Sequence, residues 1–180
     1  AEGETTTFQL GDVLSEPFEE AVLKVILDTN ADQSVSYYTR IILPDDLAAS
    51  ECLAFAQDFH AKAVAGDESA ELGLYLEPGE ESDNTTYQTV NIHSDITHIL
   101  WGDLNPQVLG DTEWDIKECN SVYTSLLAEY QTACTDDTGE NKVYNISEFF
   151  RIRYVEGTVY LLDYNREMEK VFDGGAEFFD

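Results

Sequence analysis

Asp28, Asn30, Asp32 and Ser34 put an oxygen-bearing side chain at every second position of one short stretch. A calcium ion takes about six to eight oxygen ligands, and a loop wrapped around it presents alternate side chains. The spacing therefore points to a cation site, with calcium as the expected ion and further carboxylates brought from elsewhere in the chain. An ordinary polar hairpin loop accounts for the same residues without an ion, because Asn and Asp tolerate left-handed backbone and bond their own main chain.

The pattern resembles the front half of an EF-hand loop and then departs from it. Gln33 stands where the sharp-turn glycine belongs and Thr39 where the bidentate glutamate belongs. The flanks also read as strands. Val22, Lys24 and Ile26 alternate with Leu23, Val25 and Leu27, and Val35, Tyr37, Thr39 and Ile41 alternate with Ser36, Tyr38, Arg40 and Ile42. A hairpin is predicted over residues 21–43, the first strand central in its sheet and the second, with Ser36 and Arg40 on one face, nearer an edge. The EF-hand is set aside in favour of a looser Asp-x-Asn-x-Asp site.

Other groups able to do chemistry are less specific. Asp136, Asp137, Glu140 and Asn141 surround Gly139, and Glu80, Glu81, Asp83 and Asn84 form a second acidic run; in so acidic a chain both read as solvated loops. His93 and His98 are an odd number of residues apart, so a shared strand would point them to opposite faces. His60 falls on the polar side of a predicted helix beside Asp58 and reads as a surface histidine. Cys52 is about two helical turns from it, too far for a thiolate–imidazole pair. Paired carboxylates for glycoside hydrolysis are available by composition alone. No nucleophile-elbow, P-loop or dinucleotide-binding pattern occurs.

Charge is the outlier among the bulk properties: of 180 residues 37 are acidic and 9 basic, a net charge of −28. That charge disfavours nucleic acid and anionic membranes as partners and favours cations, high salt or a basic protein. A salt-adapted proteome explains it equally well. With 43% hydrophobic and 12% aromatic residues the chain folds rather than remaining an acidic disordered tail. No apolar run is long enough to span a membrane. Ala1-Glu2-Gly3 fits a mature end left by cleavage, though a trimmed chain fits as well. The sequons Asn84-Thr85-Thr86 and Asn145-Ile146-Ser147 have meaning only in a eukaryotic secretory protein. Cys52, Cys119 and Cys134 are odd in number, which leaves a free thiol or an intermolecular bond. A helix between Cys119 and Cys134 would hold them about 20 Å apart and exclude that pairing, while Cys52 with either stays open.

The elements that position these groups follow from periodicity. Residues 5–10 read as a terminal strand, able to pair in its own sheet or with a neighbouring copy. Ala48, Cys52, Phe55, Phe59 and Ala63 recur at helical spacing, capped by Asp45 or Asp46 and ended by Gly66, which predicts a helix over 46–65. Leu72–Leu76 is a strand candidate, and Tyr87–Ile92 with Ile96–Trp101 a second hairpin. Residues 102–115 read mostly as loop over Trp101 and Trp114. Tyr123, Leu126, Leu127 and Tyr130 predict a second helix over 121–134. Phe149–Tyr154 and Thr158–Tyr164 read as a hairpin turned by Val155-Glu156-Gly157.

The expectation is one α+β domain over 1–180, mainly antiparallel β and sandwich-like, of about seven or eight strands with two helices, a loose leader (1–4) and a loose tail (174–180). The functional expectation is a non-enzymatic acidic protein, secreted or at the cell surface, stabilised by calcium and self-assembling through its N-terminal strand. Two readings compete with it: an acidic inhibitor or nucleic-acid mimic that binds a basic protein, and a secreted carbohydrate-active or carbohydrate-binding domain.

Overall fold

The alternation on either side of the Asp28–Ser34 loop produces an antiparallel hairpin, β1 (Glu20–Asp28) and β2 (Ser34–Ile42). The computed structural model describes residues 14, 19–28, 33–42, 47–68, 71–79, 84–135 and 139–171. The chain divides into two compact units, Ala1–Leu47 and Ala48–Asp180.

In the first unit Asp28 and Ser34 are paired residues at the loop end of the ladder, and Glu20 pairs with Ile42 at the other. Glu20 Oε1 lies 3.4 Å from Arg40 Nη1. Val22, Ile26, Tyr37 and Tyr38 stay exposed. Among the described residues this sheet has two strands, so β1, expected at a sheet centre, has a neighbour on one side. The predicted strand at 5–10 and the tail at 174–180 lie outside the described residues.

The second unit is one helix laid on a five-stranded antiparallel sheet. Its elements are α1 (Ala49–Val64), β3 (Thr89–Asn91), α2 (Ile96–Ile99), β4 (Gln107–Cys119), β5 (Thr124–Thr135), β6 (Asn141–Val155) and β7 (Thr158–Lys170), with strand order β3-β7-β6-β5-β4. Among the described residues the whole is an α+β fold, mainly antiparallel β, with seven strands in two sheets and two helices.

The helix α1 follows its predicted stripe. Cys52, Ala56, Phe59 and Ala63 are buried at steps of three and four, Glu51 sits in the first turn and Lys62 in the last, where each complements the helix dipole. Asp45 and Asp46, the predicted caps, lie outside the described residues, and the residue that begins the helix is Ala48, in left-handed backbone. At the far end Gly66 takes φ +63° while Asp67 N donates to Lys62 O, the six-to-one bond of a Schellman motif.

The helix predicted over 121–134 is instead the central strand β5. Leu126 and Tyr130 fit a helical stripe, but they fit a strand equally, since both are even-numbered. Thr124, Leu126, Ala128, Tyr130, Thr132 and Cys134 are all buried on one face. Pairing with β4 and β6 at once satisfies the backbone along its whole length, and that tertiary gain overrides local helix propensity. The loop predicted over 102–115 is largely β4. Gly110, at φ +79°, sits within a register shift between Leu109 and Glu113, and the bulge breaks the alternation that would have marked the strand.

The second predicted hairpin is also revised. Of Tyr87–Ile92, Thr89–Asn91 pairs with β7, with Gln88 O accepting from Met168 N and Ile92 N donating to Tyr164 O at its two ends, but Ile96–Ile99 forms a short helix because Asp95 caps it, accepting from His98 N at 2.9 Å. Leu72–Tyr75 is a 3₁₀ turn rather than a strand. The last hairpin keeps its predicted turn: Glu156 and Gly157 both have positive φ, as the two central residues of a type I′ turn require.

The core lies between α1 and the inner face of β5, β6 and β7. Phe59 meets Phe150 at 5.8 Å and Tyr164 at 5.2 Å between ring centres. Leu126, Ile152, Leu161, Val90, Ile92, Ile99 and Leu72 complete it. Into this apolar layer the sheet projects two ionisable side chains, Glu148 from β6 and Arg166 from β7, both fully buried.

Candidate functional site

Buried charge is expensive unless paired, so Glu148 and Arg166 mark where the fold accepts a cost. On β6 the inward positions run Ile146, Glu148, Phe150 and Ile152. On β7 they include Tyr164 and Arg166. Strand periodicity delivers both groups to the same face as the apolar residues around them.

Glu148 is fully coordinated by side chains. His60 Nδ1, from α1, lies 2.6 Å from Oε2. Tyr130, from β5, donates to the same oxygen at 3.3 Å, and Tyr164 donates to Oε1 at 2.6 Å. A carboxylate only accepts, so Nδ1 carries the proton and the other nitrogen, Nε2, is left as the base when the ring is neutral. Glu148 is 1% exposed and His60 11%, and Nε2 has no hydrogen-bond partner among the described residues. The imidazole is framed by the edges of Tyr130 at 4.7 Å and Trp114 at 5.8 Å.

Burial alone would push the Glu148 carboxyl up. The His60 hydrogen bond and charge, the Arg166 guanidinium and the Tyr164 hydroxyl outweigh it and hold the group below the usual glutamate range. Burial, reinforced by the Glu148 charge, pushes the Tyr130 and Tyr164 phenols far above theirs. The cluster is therefore set as a carboxylate with two neutral phenols, ready to orient an imidazole.

Arg166 fixes a second part of the site. Its Nη1 donates to Ile99 O at 3.0 Å and its Nη2 to His98 O at 2.7 Å, at the C-terminal end of α2 where a cation is favoured. Its Cζ lies 3.8 Å above the centre of the Trp101 ring. His98 in turn bonds Asp95 Oδ1 at 2.8 Å through Nδ1 and stacks on Tyr87 at 4.6 Å. One arginine thus couples the carboxylate cluster to the α2 segment.

His60 corrects the sequence expectation of a surface histidine. It lies four residues from Ala56 and next to Phe59, on the flank of the buried stripe, where the helix meets the sheet. Glu148 falls one residue before the strand predicted over Phe149–Tyr154. An acidic residue in phase with Ile146, Phe150 and Ile152 was the signal available.

Of the predicted cation ligands, Asp28 and Ser34 face each other across the hairpin ladder, while Asn30 and Asp32 lie outside the described residues. Among the described residues, no group of three or more His, Cys, Asp or Glu side chains could hold a metal ion. Of the other acidic runs, Asn84 accepts from Asp95 N at 3.1 Å and Asn141 from Thr135 at 3.0 Å. His93 bonds the Glu77 carbonyl at 2.8 Å, apart from His98. A hollow of about 420 Å³ at the β4 bulge is lined by Asp111, Glu113, Glu129, Gln131 and Asn145. Tyr130, also lining it, is 6% exposed with its hydroxyl on Glu148. No helix among the described residues is long and apolar enough to cross a membrane. No protein-family model, curated protein or solved structure matches the chain.

Proposed function

We propose that the 48–180 unit is a proton-transfer site in which His60 Nε2 takes a proton from a small organic ligand and returns it. The observation that carries this reading is the 2.6 Å bond between His60 Nδ1 and the buried Glu148 carboxylate. Such a bond fixes tautomer and ring orientation, the two things a general base needs before it meets its substrate. Tyr130 and Trp114 supply an apolar frame beside the imidazole, and the net charge of −28 selects against anionic ligands. The ligand class is then a neutral or cationic small molecule with an acidic proton.

Two measurements test it. Nitrogen NMR of the histidine ring at neutral pH is expected to find the proton of the neutral form on Nδ1. Deuterium uptake from D₂O into a panel of small carbonyl compounds is expected with the native protein and not with His60→Gln. A neutral ring protonated on Nε2, or equal uptake by both proteins, overturns the reading.

A second reading concerns the first unit: an acidic secreted or cell-surface protein stabilised by calcium at Asp28, Asn30, Asp32 and Ser34. The hairpin register supports it, because paired residues have Cβ atoms about 5 Å apart, which gathers the first and last oxygen donors of the loop. Melting in EDTA, CaCl₂, MgCl₂ and NaCl at matched ionic strength tests it. A rise specific to calcium and lost in Asp28→Asn/Asp32→Asn supports the site. An equal rise in every salt reduces it to screening.

A further inference from the structure

The face of the five-stranded sheet turned away from α1 has a charge pattern of its own. Its side chains alternate with the buried ones along β5 and β6. Leu127 and Phe149 are half-buried at its centre, and Glu129, Gln131, Asn145 and Arg153 are exposed around them. Towards the β6–β7 turn lie Arg151 and Arg153. The Arg151 Cζ is 5.0 Å from the centre of the Tyr123 ring and 5.6 Å from that of Phe149. Glu118 and Asp163 share that end, with Asp163 Oδ2 at 4.0 Å from Arg151 Nη1, so its charges balance. The opposite end is acidic. Glu113 pairs with Glu129 across β4 and β5, while Glu167 and Glu169 pair with Ser147 and Asn145. Like charges directly opposite each other weaken a ladder. Beside them the β4 bulge leaves the hollow of about 420 Å³, lined also by Asp111, Gln131 and Asn145.

We propose that this face binds a second copy of the chain, as a two-fold dimer in which Arg153 of each copy enters the acidic hollow of the other. Area and charge select that partner. The strands β4 to β7 are 12 to 15 residues long. At about 3.3 Å per residue and about 4.8 Å between strands, four of them present a face of about 40 by 20 Å, or about 800 Å². A standard interface takes about 800 Å² from each partner. A chain of net charge −28 also brings its own acidic complement to an arginine. Charge then sets the orientation. A two-fold axis parallel to the strands lays acidic end on acidic end, whereas an axis across the strands at Phe149 reverses them. Phe149 is midway between Arg153 and Asn145 on β6, so that axis lays Arg153 of one copy over the Asn145–Gln131 row of the other, at the hollow. Arg151 comes over the Glu129–Ser147 row, and the two Phe149 rings meet at the centre. The guanidinium relieves the Glu113–Glu129 repulsion, and one self-complementary patch is used twice.

Sedimentation equilibrium of the full chain at physiological ionic strength, over micromolar to submillimolar concentrations, is expected to give a species of twice the 20.2 kDa chain mass. Arg153→Glu and Glu129→Arg should each weaken the dimer by about tenfold or more, the effect of one close charge pair across an interface. Mixed in equal amounts, the two variants should recover a dimer of native strength. One contact then joins the introduced glutamate to the introduced arginine, and the other keeps the native pair. A native chain that stays at 20.2 kDa overturns the proposal. So does a dimer indifferent to Arg153→Glu, as one joined through the first unit would be, or a mixture no more dimeric than its components. Both substitutions fall on exposed side chains, and near-ultraviolet dichroism reports the fold of each variant. Arg153→Ala, which removes the cation without adding a charge, should weaken the dimer in the same direction.

Discussion

Tyr164 donates its hydroxyl to Glu148 Oε1 at 2.6 Å, on the carboxylate oxygen that His60 does not use. With Tyr130 on the other oxygen, the buried carboxylate is bonded from α1, β5 and β7 at once. Removing a partner from such a group leaves a charge or a polar atom stranded in the core. Glu148→Leu and His60→Leu should each destabilise by about 3–5 kcal/mol, the range for breaking a buried pair. The double variant should lose less than the sum, since neither partner is then left alone. Urea denaturation of the four proteins measures the coupling.

Acid stability follows from the same group. Glu148 has its folded pKa below its unfolded value, so it binds its proton less readily when folded. Its stabilising contribution is complete above the unfolded glutamate pKa of about 4.3 and is lost as pH falls through the lower folded value. Stability of the native protein should drop below about pH 4 more steeply than that of Glu148→Gln. Chemical denaturation at a series of acid pH values reads the difference in slope.

At the alkaline end the sign reverses. Tyr130 and Tyr164 are held protonated when folded, so the unfolded chain alone releases those protons above the free phenol pKa of about 10. Stability should fall as pH rises past that point. Ultraviolet titration should show these two phenols ionising only together with loss of the near-ultraviolet dichroism of the fold. Smooth ionisation of every tyrosine in the folded protein would contradict the cluster.

Gly102 takes φ +50°, and a Cβ there would run into the Tyr87 hydroxyl. Gly102→Ala therefore combines backbone strain with overpacking and should cost about 1–3 kcal/mol. It should also disturb the Tyr87–His98 stack. Tyr87→Phe removes the obstructing oxygen, so it should recover part of the loss in the Gly102→Ala background. A melt of all four proteins decides; strict additivity would show that the contact is not the cause.

Arg166→Met removes the donors to Ile99 O and His98 O and the cation over Trp101. The expected loss is at least that of one charged hydrogen bond, about 1.5–3 kcal/mol. Arg166→Lys keeps the charge but not the fork, and should fall between. Hydrogen exchange should show α2 opening before the β5–β6 ladder in either variant.

Sequence alone determined the elements whose signals are local. The stripe of Cys52, Phe59 and Ala63 with Gly66 behind it specifies α1 wherever the chain places it, and Gly157 marks a tight turn because glycine takes positive φ without steric cost. The alternation over 21–27 and 35–42 likewise specifies a hairpin and so sets Asp28 opposite Ser34. The acidic composition is equally a property of sequence.

Tertiary structure decided β5. Leu126 and Tyr130 satisfy both periods, and the choice fell to long-range backbone pairing with β4 and β6, invisible to any window of neighbouring residues. It decided the site for the same reason. His60 and Glu148 are 88 positions apart, and nothing local distinguishes a solvated histidine from one seated on a carboxylate. The distinction arises only when α1 is laid across the inner face of β6, where the loss of water makes each group's partner the chief determinant of its chemistry.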